Sequence, residues 1–131
     1  MIDSREEDFV RKFIIAQKRD RLLFELGNNK KRREGIGRFC HGAEQLLISD
    51  KIYMSGEISG NRILELLNMH GRSEVSFVAA YNREIDRLEL RNEDAVEQVI
   101  GNGMAAVIIQ QGIAVIETEM TGRAERFVLL G

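Results

Sequence analysis

The chain has 131 residues, 44% hydrophobic and 31% charged, with a formal net charge of −2, a balance that fits a globular fold and excludes disordered and fibrous classes. It is long enough to bury a core unaided, its single cysteine excludes an internal disulfide, and no apolar run approaches the ~20 residues of a membrane span. The opening Met-Ile-Asp-Ser-Arg-Glu-Glu-Asp is too acidic and polar for a secretory signal, so the expectation is one domain over residues 1–131 of a cytoplasmic protein.

Charge is unevenly spread. Residues 1–41 hold 11 Lys/Arg against 7 Asp/Glu, whereas residues 42–131 hold 8 against 14. A basic third on an acidic remainder implies either an anionic partner or mutual attraction between the two parts.

Ser4-Arg5-Glu6-Glu7 fits a capping box, and the apolar stripe of Phe9, Phe13, Ala16, Leu23 and Leu26 predicts one helix to about Leu26. Glu7 with Arg11 and Asp8 with Lys12 are i,i+4 pairs in the favourable order. Gly27 closes this helix, and Asn28-Asn29 turns the chain into a second one carrying Ile36, Phe39, Cys40, Ala43, Leu46 and Leu47 on one side. Gly35, Gly37 and Gly42 weaken it by ~0.8–1 kcal/mol each unless another element packs closely there. The two helices read as an antiparallel hairpin.

Lys51 to Ser55 is a short strand with Ile52 and Met54 on a shared face. Ser59-Gly60-Asn61 caps a helix over 62–69 with Ile63, Leu64, Leu66 and Leu67 inward. Val75 to Tyr81 reads as a strand, and Ile85 to Leu90 as its return, with Leu88 and Leu90 inward. Asn92 caps a helix from Glu93 to Ile100.

Three β-branched-rich runs then alternate with glycine-containing turns, the pattern of an antiparallel meander. Met104 to Ile109 is apolar throughout, which predicts a strand covered on both faces, with Val107 and Ile109 over 90% buried. A type II′ turn at Gly122-Arg123 favours a register with Glu119 opposite Arg126, Thr118 opposite Phe127 and Ile116 opposite Leu129; a turn at Thr121-Gly122 instead sets Glu117 opposite Arg126. Either ion pair is expected to be exposed and to contribute only ~0.2–1 kcal/mol. Ala124 to Leu130 is expected to be the outer strand, covered by the N-terminal helices or by a second copy of the chain. The order predicts an α+β fold: a mainly antiparallel sheet with a C-terminal three-stranded meander, packed by an N-terminal helical hairpin and two shorter helices.

Candidate functional residues are few. Lys30, Lys31, Arg32, Arg33 and Arg38 form the main charge feature, suited to phosphates but poorly placed against the dipole of the helix they begin, and no aromatic residue interleaves them. Cys40 and His41 point about 100° apart on a helix, so a thiol–imidazole site requires His70 to converge on them through the fold. Glu117 and Glu119 form a carboxylate pair on one strand face, read as an outward ladder with Arg126. The glycines at 56, 60, 101 and 103 lack the lysine or spacing of a phosphate loop. No ligand spacing implies a metal, and no motif implies a cofactor. The leading expectation is a binding or interaction module without a catalytic constellation, taking a protein partner or a second copy and no membrane. The alternatives are nucleic-acid or polyanion binding through residues 30–38, and a small enzyme built around Cys40, His41 and His70.

Overall fold

A computed structural model describes residues 2–118 and 125–131, with Cys40 and His41 described as backbone alone. The run without a polar residue forms the middle of the sheet. β4 (Ala106–Gln110) pairs with β5 (Ile113–Glu117), which pairs with β6 (Arg126–Leu130), giving the expected meander. β2 (Val75–Ala80) lies on the other side of β4, and β1 (Ile52–Gly56) and β3 (Glu89–Arg91) complete the antiparallel order β1-β6-β5-β4-β2-β3.

Both faces of this sheet are covered. Phe77, Ala79, Val107, Ile109, Ala114, Ile116, Phe127 and Leu129 join a core closed by α1 (Ser4–Phe13), α2 (Ala16–Gly27) and α3 (Arg32–Leu46). The alternate residues Val78, Ala80, Ile108, Ile113, Val115 and Val128 join a second core closed by α4 (Gly60–His70) and α5 (Asn92–Val99). The alternation of a pleated strand thus feeds two layers, with the buried polar residues Ser76 and Glu117 near strand ends. Val107 is 2% exposed and Ile109 6%, as their setting requires. The fold is α+β, and no helix among the described residues is long and apolar enough to cross a membrane.

Several expectations change. The first helix is two, broken at Ile14-Ile15 without glycine or proline. These β-branched residues take extended backbone because the chain leaving α3 offers them partners: the Ile15 N–H donates to Leu46 O and the Ile48 N–H to Phe13 O, both at 2.8 Å, and Ile14 bridges Leu47. Asp3, rather than Ser4, caps α1, its carboxylate accepting from the Arg5 N–H at 2.8 Å. The pairs of Glu7 with Arg11 and Asp8 with Lys12 form as expected. At Gly35 the close approach that excuses a helical glycine exists, since a Cβ there would lie 3.0 Å from Glu25 Cβ on α2.

Ile52 and Met54 do not share a face. A bulge between them in the pairing with β6 turns Ile52 to the first core and Met54 to the second. The strand from Arg126 is not an edge either, because β1 pairs along it, so neither the N-terminal helices nor a second copy is needed to cover it. The return strand from Ile85 shrinks to the three residues of β3, and Leu88 is exposed. Asn92 does not cap α5. It is buried at the start of that helix, donating to Asn68 Oδ1 and Ser73 O and accepting from Ser76 Oγ and Gln110 Nε2, which closes the polar end between β2 and β4.

The meander register is Glu117 opposite Arg126 and Ile116 opposite Phe127, not the one favoured by a Gly122-Arg123 turn; Glu119 and the turn itself lie outside the described residues. The ion pair is not exposed: Glu117 is 1% accessible. Arg126 donates to both its carboxylate oxygens, at 2.9 and 3.1 Å, and to Ile58 O at 3.0 Å, while the Gly101 N–H donates to Glu117 Oε2 at 2.6 Å. The pair ties β5 and β6 to the entrance of α4 and the exit of α5.

Two substitutions test this account by denaturant unfolding. Val107→Asp should remove most of the stability, because neither core offers the carboxylate a partner. Arg126→Leu should cost about 3–5 kcal/mol by stranding Glu117, against ~0.5 or less for the exposed Arg11→Leu.

Candidate binding site

The basic run begins in a turn. Asn28 Oδ1 accepts from the N–H groups of Lys30 at 2.9 Å and Lys31 at 3.2 Å, and α3 starts at Arg32 without a side-chain cap. Positive charge at a helix start is unfavourable, and Arg32 escapes by turning inward. It is 4% exposed and uses all five of its N–H donors. Two go to Glu6 of α1, at 2.9 and 2.5 Å, and one to Leu26 O at the end of α2, at 3.0 Å. The other two go to Asp86, at 2.6 and 2.9 Å, and Asp86 Oδ1 also accepts from the Ala80 N–H at 2.9 Å. Burial pushes the Glu6 carboxyl up, against the opposing pull of Arg32. Arg32 is therefore a structural tie among three elements, with no donor left for a ligand.

That tie decides where the chain after β2 goes. With Asp86 held on Arg32, the backbone turns back, Arg87 adopts a φ of +68°, and its N–H donates to Val78 O at 2.7 Å. This is why the predicted strand from Ile85 is a docked loop. Tyr81 comes to lie beneath Arg33, whose guanidinium carbon is 4.0 Å from the ring centroid and whose Nε donates to Tyr81 O at 3.3 Å. Arg87 Nη2 donates to Asn29 Oδ1 at 3.1 Å. The 81–88 loop thereby carries Tyr81 and Arg87 to the basic run, with Arg83 exposed between them in the chain, and the aromatic residue missing from the local sequence is supplied by the fold.

Lys30, Arg33, Arg83 and Arg87 have no carboxylate partner among the described residues. Lys31 lies 3.7 Å from Glu34 of α3, and Glu84 is an exposed acid of the 81–88 loop. Arg38 does not belong to this face. It donates to both oxygens of the buried Glu25, at 2.8 and 2.7 Å, and holds that carboxyl below its ordinary range. Arg21 approaches the same carboxylate at 3.6 Å, so Glu25 is shared by two of the three cations lining the α2–α3 groove of about 620 Å³, the third being Lys18.

His70 ends α4 on the second core's side of the sheet, its ring edge-to-face with Tyr53 at 5.6 Å. α3, which carries Cys40 and His41, packs the opposite face, so the sheet stands between the backbone of those two residues and His70. Their side chains lie outside the description. Among the described residues no group of three His, Cys, Asp or Glu is placed to hold a metal. The Gly101 N–H is committed to Glu117, and that carboxylate to Arg126. Sequence reasoning missed Tyr81, Arg83 and Arg87. Their stretch, Tyr81-Asn-Arg-Glu-Ile-Asp-Arg87, carries no local signal of the docking that gathers them.

Arg32→Leu should cost about 3–5 kcal/mol, because Glu6 would be left buried and unpaired and the part-buried Asp86 would keep only the Ala80 N–H. It should also accelerate amide exchange in the 81–88 loop, which Lys30→Ala should not do.

No family model, curated protein or solved structure compared with the chain matches it.

Proposed function

We propose that this chain is a cytoplasmic binding module that takes an anionic partner on the face shared by the start of α3 and the 81–88 loop. The observation that carries the reading is the state of the cations there. Lys30, Arg33, Arg83 and Arg87 come from two segments some fifty residues apart and lack carboxylate partners among the described residues. Elsewhere Arg5 pairs with Asp3 and Glu89, Arg62 with Glu65, Arg91 with Glu93 and Arg38 with Glu25, while Arg19, which donates to Ile14 O, and Arg72 have no carboxylate partner among the described residues. In a chain of net charge −2, four such cations on one docked surface concentrate a positive field. The residues assigned are Lys30, Arg33, Arg83 and Arg87, with Lys31 at the margin; Arg32 positions them and takes no ligand.

The test is binding of long-chain polyphosphate as a function of salt. Four phosphate contacts give a slope near −3 in log affinity against log salt, so affinity should fall roughly 50- to 150-fold between about 50 and 200 mM. The triple variant Lys30→Glu, Arg83→Glu, Arg87→Glu should abolish binding while the melting temperature holds, since these side chains are exposed. Salt-independent retention, or full binding by the triple variant, would reject the reading.

A further inference from the structure

We infer that the anionic partner is a single nucleic-acid strand, one of whose bases stacks on the Arg33–Tyr81 layer; the inference rests on the cationic face proposed above. Two observations separate a strand from other polyanions.

The first is the layer itself. The Arg33 guanidinium lies 4.0 Å over the Tyr81 ring, and its Nε–H to Tyr81 O fixes it there. Both side chains are half-buried, so each keeps part of its surface toward solvent. Guanidinium planes and aromatic rings are the surfaces on which unpaired bases stack. Here the two are already assembled, so the ordering of a long arginine side chain is complete before a ligand arrives. No carboxylate has to be displaced, because the partners of Arg33 are a carbonyl and a ring. Lys30 precedes this layer on the turn into α3, and Arg83 and Arg87 follow Tyr81 on the loop, so cations lie along the chain on both sides of it.

The second is the extent of the face. Four or five cations serve a few phosphates. A duplex is stiff over many turns and must run straight on past so small a patch, gaining no further contacts from it. A single strand bends away after its few contacts. A carboxylate polymer or polyphosphate meets the same cations and gains nothing from the layer.

The experiment compares the intact chain's affinity for a short fluorescent oligothymidylate, for a duplex of the same length and for polyphosphate at matched phosphate concentration. The strand should bind roughly 5- to 150-fold tighter than polyphosphate, the worth of one stacked base, and the duplex no tighter than polyphosphate. Arg33→Lys keeps the charge and removes the plane. It should erase the strand's advantage and leave polyphosphate binding unchanged. Tyr81→Phe should preserve the advantage, which guards against loss through misfolding. Polyphosphate bound as tightly as the strand, or Arg33→Lys without effect on the strand, overturns this inference and leaves the anionic face standing. If none of the three binds, both the inference and the face fall.

Discussion

The placement of Arg32 is the constraint on which the rest of the first layer depends. A guanidinium out of water is tolerable only with every donor used, and Arg32 reaches that state by drawing Glu6, Leu26 O and Asp86 to one point. Such a site stabilises little against an apolar substitute of the same shape. What it does is fix positions, because any other arrangement of α1, the end of α2 or the 81–88 loop leaves a charge buried alone. The second layer has its own version. Arg126 satisfies Glu117 and Ile58 O, and Glu117 takes the Gly101 N–H. Each face of the sheet is thus packed by non-directional apolar burial and brought into register by directional arginines, Arg32 with Arg38 on one side and Arg126 on the other.

The sheet makes this division possible. Its central strands expose neither face, so the helices on each side meet a wall that is apolar over most of its extent and carries polar guides near its strand ends, at Ser76, Gln110 and Glu117. Burial alone specifies that the helices cover the wall, not the angle at which they do so. Charged groups at the margins supply the angle. The edges follow the same economy: β3 is only three residues, charged at both ends by Glu89 and Arg91, and β1 carries a bulge, both of which discourage pairing with another chain.

Legibility followed the physics of each signal. The meander, the all-apolar run at 104–109 and the helix from Gly60 were readable because their evidence is local: β-branched runs, glycine turns, a serine cap. The break at Ile14-Ile15 was not, since nothing in those residues forbids a helix; the partners that draw them out stand at Leu46 to Ile48. Charge was the least legible signal. Arg32 sits between other cations and looks solvated, yet its acceptors lie 26 and 54 positions away. Glu117 faced Arg126 only in the register that the sequence disfavoured, and the pair read as exposed, because alternation along a strand gives the face a residue is on, not whether a helix and two loops close over it. The candidate site divided accordingly: Lys30, Lys31 and Arg33 could be named from sequence, and Tyr81, Arg83 and Arg87 could not.

The buried tie also sets the terms on which the cationic face can work. Glu6, Asp86 and Arg32 together carry a formal charge of −1, and Arg32 and Asp86 are chain neighbours of Arg33 and Arg87. A net negative charge so near in the chain favours cations standing together without carboxylate partners of their own. The same charge opposes any anion that approaches. A surface supported in this way cannot rely on Coulomb attraction for tight binding, and what attraction it has is weakened further by salt. Discrimination must then come from a contact that salt does not screen. On this face the group able to make one is the layer of Arg33 on Tyr81, which stands where it does because Asp86, five residues on, is held by Arg32.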